Sequence, residues 1–313
     1  HLSIRPGNAT GVPATAGLNF APGDVVANAV TVAVPTAGAN AGQIGLHYWS
    51  PVAGATMDVV IDIVGYTTNT GLLDIVNRIT ALETASPARV VWVADDGTGD
   101  YPLLSTALTA ITDATSSKPY VIKIAPGIYT ETALVVLKDY VDVEGSGQDI
   151  TTINCACSAN ILVASAAVIS ATAITAEIRH LTVNNTGGSN ISFGVYTNGV
   201  ANGSFSMLHV TATATGGTDS NYGVFNFVSS SPTMNNVTAT ATGGTNNYGV
   251  NNYGGSYPSI RNSSITGTTN SIYNDSSNAQ VADTALGGAV AGTGFTCIGV
   301  YDTAFAPLNA SCV

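Results

Sequence analysis

The chain is expected to fold as an all-β solenoid, and three observations carry that expectation. The first is a near-repeat. Residues 210–236 read VTATATGGTDSNYGVFNFVSSSPTMNN, and residues 237–262 read VTATATGGTNNYGVNNYGGSYPSIRN. Tyr222 recurs as Tyr248 and Pro232 as Pro258; a weaker copy runs from His180 to Met207, and a truncated one lies around Ile265 to Asp275. A period of about 26 residues, rich in Thr, Val, Asn and Gly, is the pattern of stacked supersecondary units. Each unit buries its apolar face on the next, so the molecule grows along one axis. The second observation is composition: 45% of residues are hydrophobic and only 9% charged, far below the usual quarter or so. Thr, Ser, Asn and Gly must therefore cover the surface. The third is the pattern of short β-branched runs such as VVANAVTVAVP and MDVVIDIVGYT, separated by Gly, Pro, Asn and Ala turns.

Charge and cysteine usage narrow the partners. The formal net charge is -11, with only 8 Lys and Arg, which argues against a nucleic-acid partner. The acidity also serves solubility. No apolar run reaches the roughly 18 residues of a membrane-spanning helix. The chain opens at His1, inside what reads as a strand and without a signal-like leader, so it reads as a processed or trimmed form. The four cysteines are Cys155, Cys157, Cys297 and Cys312. Cys297 and Cys312 are expected to form a local bridge stapling the C-terminal end. Cys155 and Cys157 would share a face on a strand, where pairing with each other would be strained. Links between chains and free thiols are the alternatives. A zinc site finds little support, because His180 is the only nearby His and no second Cys pair has ligand spacing.

Three segments follow along the chain. Residues 1–66 are expected to form a small β module. Its stretch LNFAPGDVVANAVTVAV, followed by DVVIDIVGYT, resembles a small β-sandwich module of secreted bacterial proteins. In that family further strands lie upstream of the position of His1, and without them the sheet would have an open edge able to accept a strand from another chain. Residues 67–88 are a polar linker and a short helix. There Leu72, Ile75, Ile79 and Leu82 follow the 3-4-3 spacing of a coiled-coil seam, and mixed Ile and Leu at these positions favour more than two strands. A helix this short is marginal alone. It reads as a trimeric neck, or as an amphipathic linker helix packed on a neighbouring domain.

Residues 89–313 form the long segment. VVWVADDGTGDYPLLSTALTAI is a strand, a turn and a short amphipathic helix; PYVIKIAPGIYTETALVV and YVDVEGSGQDITTI continue as strands and turns. The motifs V-A-x-D-G-T-G-D-Y, S-T-A-L-x-A-I, I-x-I-A-P-G-I-Y-T-E and V-E-G-S-G resemble the opening of pectinesterase-like, pectin-lyase-type right-handed parallel β-helices. The resemblance covers about residues 89 to 155 and implies that the helix caps the first coil. Beyond it, the repeats and the ending FTCIGVYDTAFAPLNASC are similar to secreted bacterial right-handed β-helix proteins of unassigned role. The expected fold is thus all-β: a right-handed parallel β-helix with a C-terminal cap, a small N-terminal β-sandwich module and a short coiled-coil neck.

The resemblance does not bring its chemistry with it. Pectin methylesterases use two Asp carboxylates with an Arg and Gln residues, in motifs that include Q-A-V-A, Q-D-T-L, D-F-I-F-G and R-P-W, and none of these occurs here. Gln148-Asp149 belongs to a G-x-x-x-T-I turn. From residue 150 onward the charged residues are Glu177, Arg179, Asp219, Arg261, Asp275, Asp283 and Asp302, with no paired carboxylates among them of the kind glycosidases hold about 5 to 9 Å apart. No Lys follows Lys138. The expectation is a protein without a catalytic site and without a cofactor. Asp95, Asp96 and Asp100 offer hard oxygen ligands for Ca²⁺ but fit an ordinary Asp-Gly turn better. The recurring rings, Tyr222, Tyr248 and Tyr253 foremost, could stack glycans or simply each other. The leading expectation is a secreted, homotrimeric surface fibre or filament subunit with an adhesive task, joined head to tail through the N-terminal module. A glycan-binding, tailspike-like adhesin and a pectinesterase- or polysaccharide-lyase-like enzyme are the alternatives.

Overall fold

The computed structural model describes residues 1–13, 17–61 and 89–313. The chain divides into two compact units, His1–Gly71 and Leu72–Val313. In the first, Leu2–Pro6 pairs antiparallel with Ile44–Tyr48, Leu2 lying opposite Tyr48. Leu2 is buried beneath this ladder. The runs at 24–35 and 57–61 carry no strand, and Val25 and Val60 are fully exposed. Their apolar alternation meets no facing sheet among the described residues. The seam Leu72, Ile75, Ile79 and Leu82 lies outside the described residues.

The second unit is a parallel β-helix. Successive coils pair in parallel, forming sheets of fourteen and seven strands among the described residues. The larger sheet bends along a single column. Strand Ala176–Asn185 is continuous, yet His180 within it has φ 55°. The equivalent residues His209, Asn236, Asn262 and Asp283 also have positive φ, between 48° and 53°. His, Asn and Asp tolerate this left-handed conformation better than most side chains. The column thus turns the sheet into two faces, and the seven-stranded sheet supplies a third.

Three apolar columns fill the interior. One runs Ile122, Val143, Ile178, Met207, Met234, Ile260, Val281, Cys297. The second runs Ile153, Val183, Ala212, Ala239, Ile265, Leu286. The third runs Val135, Ile169, Val195, Val224, Val250, Ile272. All of them are buried. In the first two columns period-two alternation puts every second residue in this core and its neighbours outside, whereas strands of the seven-stranded sheet such as Ile191–Asn198 and Ser220–Phe227 are buried on both faces. A polar thread also runs inside. Thr197 Oγ1 donates to Asn226 Oδ1 at 2.7 Å, Asn226 Nδ2 to Asn252 Oδ1 at 2.8 Å, and Asn252 Nδ2 to Asn274 Oδ1 at 2.7 Å. Burial of these amides is tolerable because each is satisfied by the next.

The helix Leu104–Ala110 buries Leu104, Ala107 and Leu108 against the core of the first coils. Ser105 anchors it, its backbone N–H and Oγ donating to the buried Glu131 carboxylate at 3.1 and 2.6 Å. At the other end Cys297 is bonded to Cys312. Cys155 is bonded to Cys157, with Cα atoms 5.1 Å apart, a pairing that a shared strand face would have strained. Strand Thr151–Cys155 ends at Cys155, so Cys157 is free of the extended geometry that would have kept the sulfurs apart.

Candidate active site

Two short alternating segments build the most chemically charged surface of the β-helix. In strand Val141–Glu144, Val141 and Val143 enter the core, so Asp142 and Glu144 point outward. In strand Ala176–Asn185, Ile178 enters the core, so Glu177 and Arg179 point outward. The parallel register sets Glu144 beside Arg179. It also sets Lys123 beside Glu144, and Trp92 beside Lys123. One row across four coils therefore reads Trp92, Lys123, Glu144, Arg179.

Arg179 is the hub. Its Nη2 donates to Glu144 Oε2 at 2.8 Å, and its Nη1 donates to Glu177 Oε1 at 2.6 Å. Asp142 Oδ2 lies 3.9 Å from the same Nη1. Lys123 Nζ approaches Glu144 Oε1 to 3.1 Å. Asp142 Oδ1 accepts the Glu177 backbone N–H at 2.8 Å, and Ser206 Oγ donates to Glu177 Oε2 at 2.7 Å. Three carboxylates thus share two cations.

The two carboxylates of one strand titrate in opposite directions. Burial pushes the Asp142 carboxyl above its usual value, against the opposing pull of the Glu177 N–H and the Arg179 charge. Burial also acts upward on Glu144, but hydrogen bonds and charge from Arg179 and Lys123 outweigh it and hold this group below its usual value. Environments that separate two neighbouring carboxyls in this way assign them different roles. A cavity of about 320 Å³ opens on the Glu144 side of the cluster, lined by Trp92, Lys123, Glu144, Ser146 and His180 among others; Asp142 stands next to it rather than in its wall. Trp92 is half exposed, and the His180 ring stacks on His209 with centroids 5.0 Å apart.

Sequence reasoning missed this cluster because it searched from residue 150 onward and looked for pairs close in sequence. Asp142 and Glu177 are 35 residues apart. The available signal was D-V-E at 142–144 and E-I-R at 177–179, each alternating around a core residue. Reading it required the register between coils.

The residues singled out from the sequence lie elsewhere. Tyr222 is buried and stacks on Tyr248 at 5.2 Å, so its faces are used by packing rather than offered to a glycan. Tyr253 is 39% exposed and stacks on Phe227 at 5.4 Å. Asp96 Oδ1 accepts from Thr98 N at 2.9 Å and from Thr98 Oγ1 at 2.6 Å, and Asp100 Oδ2 accepts from Trp92 N at 2.9 Å. These oxygens serve the turn. Among the described residues no three His, Cys, Asp or Glu gather as metal ligands.

Residues 90–222 match the family model described as Pectinesterase. The class defined by fold and sequence together is therefore a pectinesterase-like parallel β-helix. Among solved structures, the pectin methylesterase from carrot is 15% identical with a TM-score of 0.43, covering 69% of this chain and 72% of that one. Open reading frame 18 of Geobacillus virus E2 is 14% identical with a TM-score of 0.44, covering 86% of this chain and 56% of that one. Escherichia coli YbhC is 12% identical with a TM-score of 0.43, covering 81% and 77%. No curated protein sequence matches. The family match corrects the expectation of a chain without a catalytic site. The family whose model fits residues 90–222 is one of enzymes, although its motifs Q-A-V-A, Q-D-T-L, D-F-I-F-G and R-P-W occur nowhere in the chain.

Proposed function

We propose that the protein is a secreted carbohydrate-ester hydrolase whose working group is Asp142. The carrying observation is the pair Asp142 and Glu144, shifted in opposite directions around Arg179, with an open cavity on the Glu144 side. The pectinesterase match supports an ester of a uronate sugar as substrate class. Asp142, in its ionised form, takes a proton from a water molecule that attacks the ester carbonyl. Arg179 and Lys123 supply positive charge near the oxyanion that forms. As the carbonyl is restored and the C–O bond breaks, the proton passes from Asp142 to the departing alkoxide, leaving free acid and alcohol. Trp92 offers a half-exposed ring against which a pyranose face can stack. The two disulfides support an oxidising, extracellular setting. No helix among the described residues is long and apolar enough to cross a membrane.

The test is methanol release from methyl-esterified polygalacturonate. Asp142→Asn should lower kcat by about 10²- to 10⁴-fold, the usual worth of a positioned base, with the fold intact by circular dichroism. Wild-type protein that releases no methanol, or an Asn variant that matches it, would sink this reading. A second reading concerns assembly and rests on sequence spacing alone: Leu72, Ile75, Ile79 and Leu82 join three chains in a neck. Sedimentation should then give three times the chain mass for the native protein and a single chain mass for Ile75→Asp/Ile79→Asp. Trimers that survive the double change exclude the neck.

A further inference from the structure

The three outer faces of the β-helix differ in chemistry, and one of them has the form of a lattice. The face described above carries the charges. The seven-stranded sheet carries stacked rings, the buried Phe193 and Phe225 continuing to the more open Phe227 and Tyr253. The remaining face, beyond the bend column, carries neither over its middle coils, between Ile128 at one end and Ala285 and Tyr301 at the other. Its first outward column is Thr152, Thr182, Thr211, Thr238, Ser264, and its second is Asn154, Asn184, Thr213, Thr240, Thr266. Every partner follows in register with no residue skipped. Between the columns lie the buried residues Ile153, Val183, Ala212, Ala239 and Ile265. All ten outward residues are half-buried or exposed, and none is charged. Thr is abundant throughout this chain, so composition alone would have spread it over all three faces.

We propose that this face binds ice. Strand geometry sets the repeat at about 4.7–4.9 Å between coils and, for two residues at about 3.3 Å each, about 6.6 Å along a strand. The oxygen lattice on the prism face of ice has one short and one long repeat of similar lengths. A hydroxyl can join such a lattice and the methyl beside it can fill the gaps between lattice waters. Each contact is weak, so only an array that keeps register over several coils accumulates binding. Thr suits this because its branched Cβ stiffens χ1, leaving little rotamer freedom to lose on binding. The hydroxyls of Thr213, Thr238, Thr240 and Thr266 carry no hydrogen bond from described residues, whereas at one edge Thr182 Oγ1 donates to the Gln148 carbonyl and Gln148 Nε2 reaches Thr211 Oγ1 at 3.4 Å. A neutral array without exposed rings favours a water lattice over a soluble sugar chain. A crystalline polysaccharide, which also repeats hydroxyls in two dimensions, becomes an outcome of the test.

The experiment uses the full chain in three forms: wild type, Thr213→Tyr/Thr240→Tyr on this face, and Thr233→Tyr/Gln280→Tyr on the neighbouring one. Circular dichroism establishes that each is folded. Ice grown slowly from each solution is examined for faceted crystals and for protein enriched in the ice fraction. Wild type and the neighbouring-face variant should facet the crystals and enter the ice, and the Thr213/Thr240 variant should lose both behaviours. The proposal is overturned if wild type is excluded from ice, if the Thr213/Thr240 variant still shapes it, or if the neighbouring-face variant loses the effect as well. Co-sedimentation with crystalline cellulose or chitin is run in parallel. Binding there that only the Thr213/Thr240 changes abolish, without ice activity, overturns the proposal in favour of a polysaccharide surface.

Discussion

Asp142 and Glu144 differ by one methylene and sit two residues apart, yet they titrate in opposite senses. Lys123 and Arg179 both reach Glu144 closely, whereas Arg179 reaches Asp142 only at 3.9 Å. Desolvation therefore wins at Asp142 and charge wins at Glu144. The sign of the pH effect follows. A base works when ionised, so activity through Asp142 should fall as pH drops through its raised value. The acid limb of kcat/KM should then lie above the range of an ordinary aspartate near 3.9. A rate profile of methanol release measures it, and a limb at or below that range contradicts the assignment. None of this was legible from the residues one at a time. D-V-E reads as an ordinary alternating strand until the next coil brings Arg179 alongside.

At the scale of the element, the alternation was legible and its corners were not. VTATA at 210–214 and 237–241 announces strands with Thr outward and Val or Ala inward, and the structure has them so. The bend at His180 and its equivalents gives no such signal, because His180 stands within the alternating run EIRHLTV and His209 within MLHV. Tolerance of positive φ, rather than hydropathy, marks those positions. The internal Asn thread was also hidden, since Asn in a repeat reads equally well as a turn residue. Its energetics give a prediction. Asn252 accepts from Asn226 and donates to Asn274, all three buried. Asn252→Ala strands a donor on one side and an acceptor on the other, at about 1–3 kcal/mol for each group left unsatisfied. Urea unfolding should show a loss of that order, and a loss near zero would mean that the thread is dispensable.

At the scale of the molecule, a solenoid is stabilised chiefly between neighbouring coils. Damage at an end should therefore stay at that end. The Cys297–Cys312 bond closes a loop with a sequence separation of 15, for which chain entropy predicts about 3 kcal/mol. Cys297→Ser/Cys312→Ser should expose the amides of the last coil, Phe295–Ile298 and beyond, to hydrogen exchange. Those of Ala176–Asn185 should keep their protection. Uniform loss along the rod would contradict nearest-neighbour stacking.

The sequence alone determined the solenoid, its period, its apolar interior and the capping helix, because each depends on local alternation and on repeats that recur along one chain. It also determined that the chain is poor in charge. Tertiary structure decided which charges meet. Coil 141–144 and coil 176–179 are separated by a longer connection than the later repeats, so no fixed period aligns them on paper. Only the inter-coil hydrogen bonds set the register that places Asp142, Glu144 and Glu177 around Arg179.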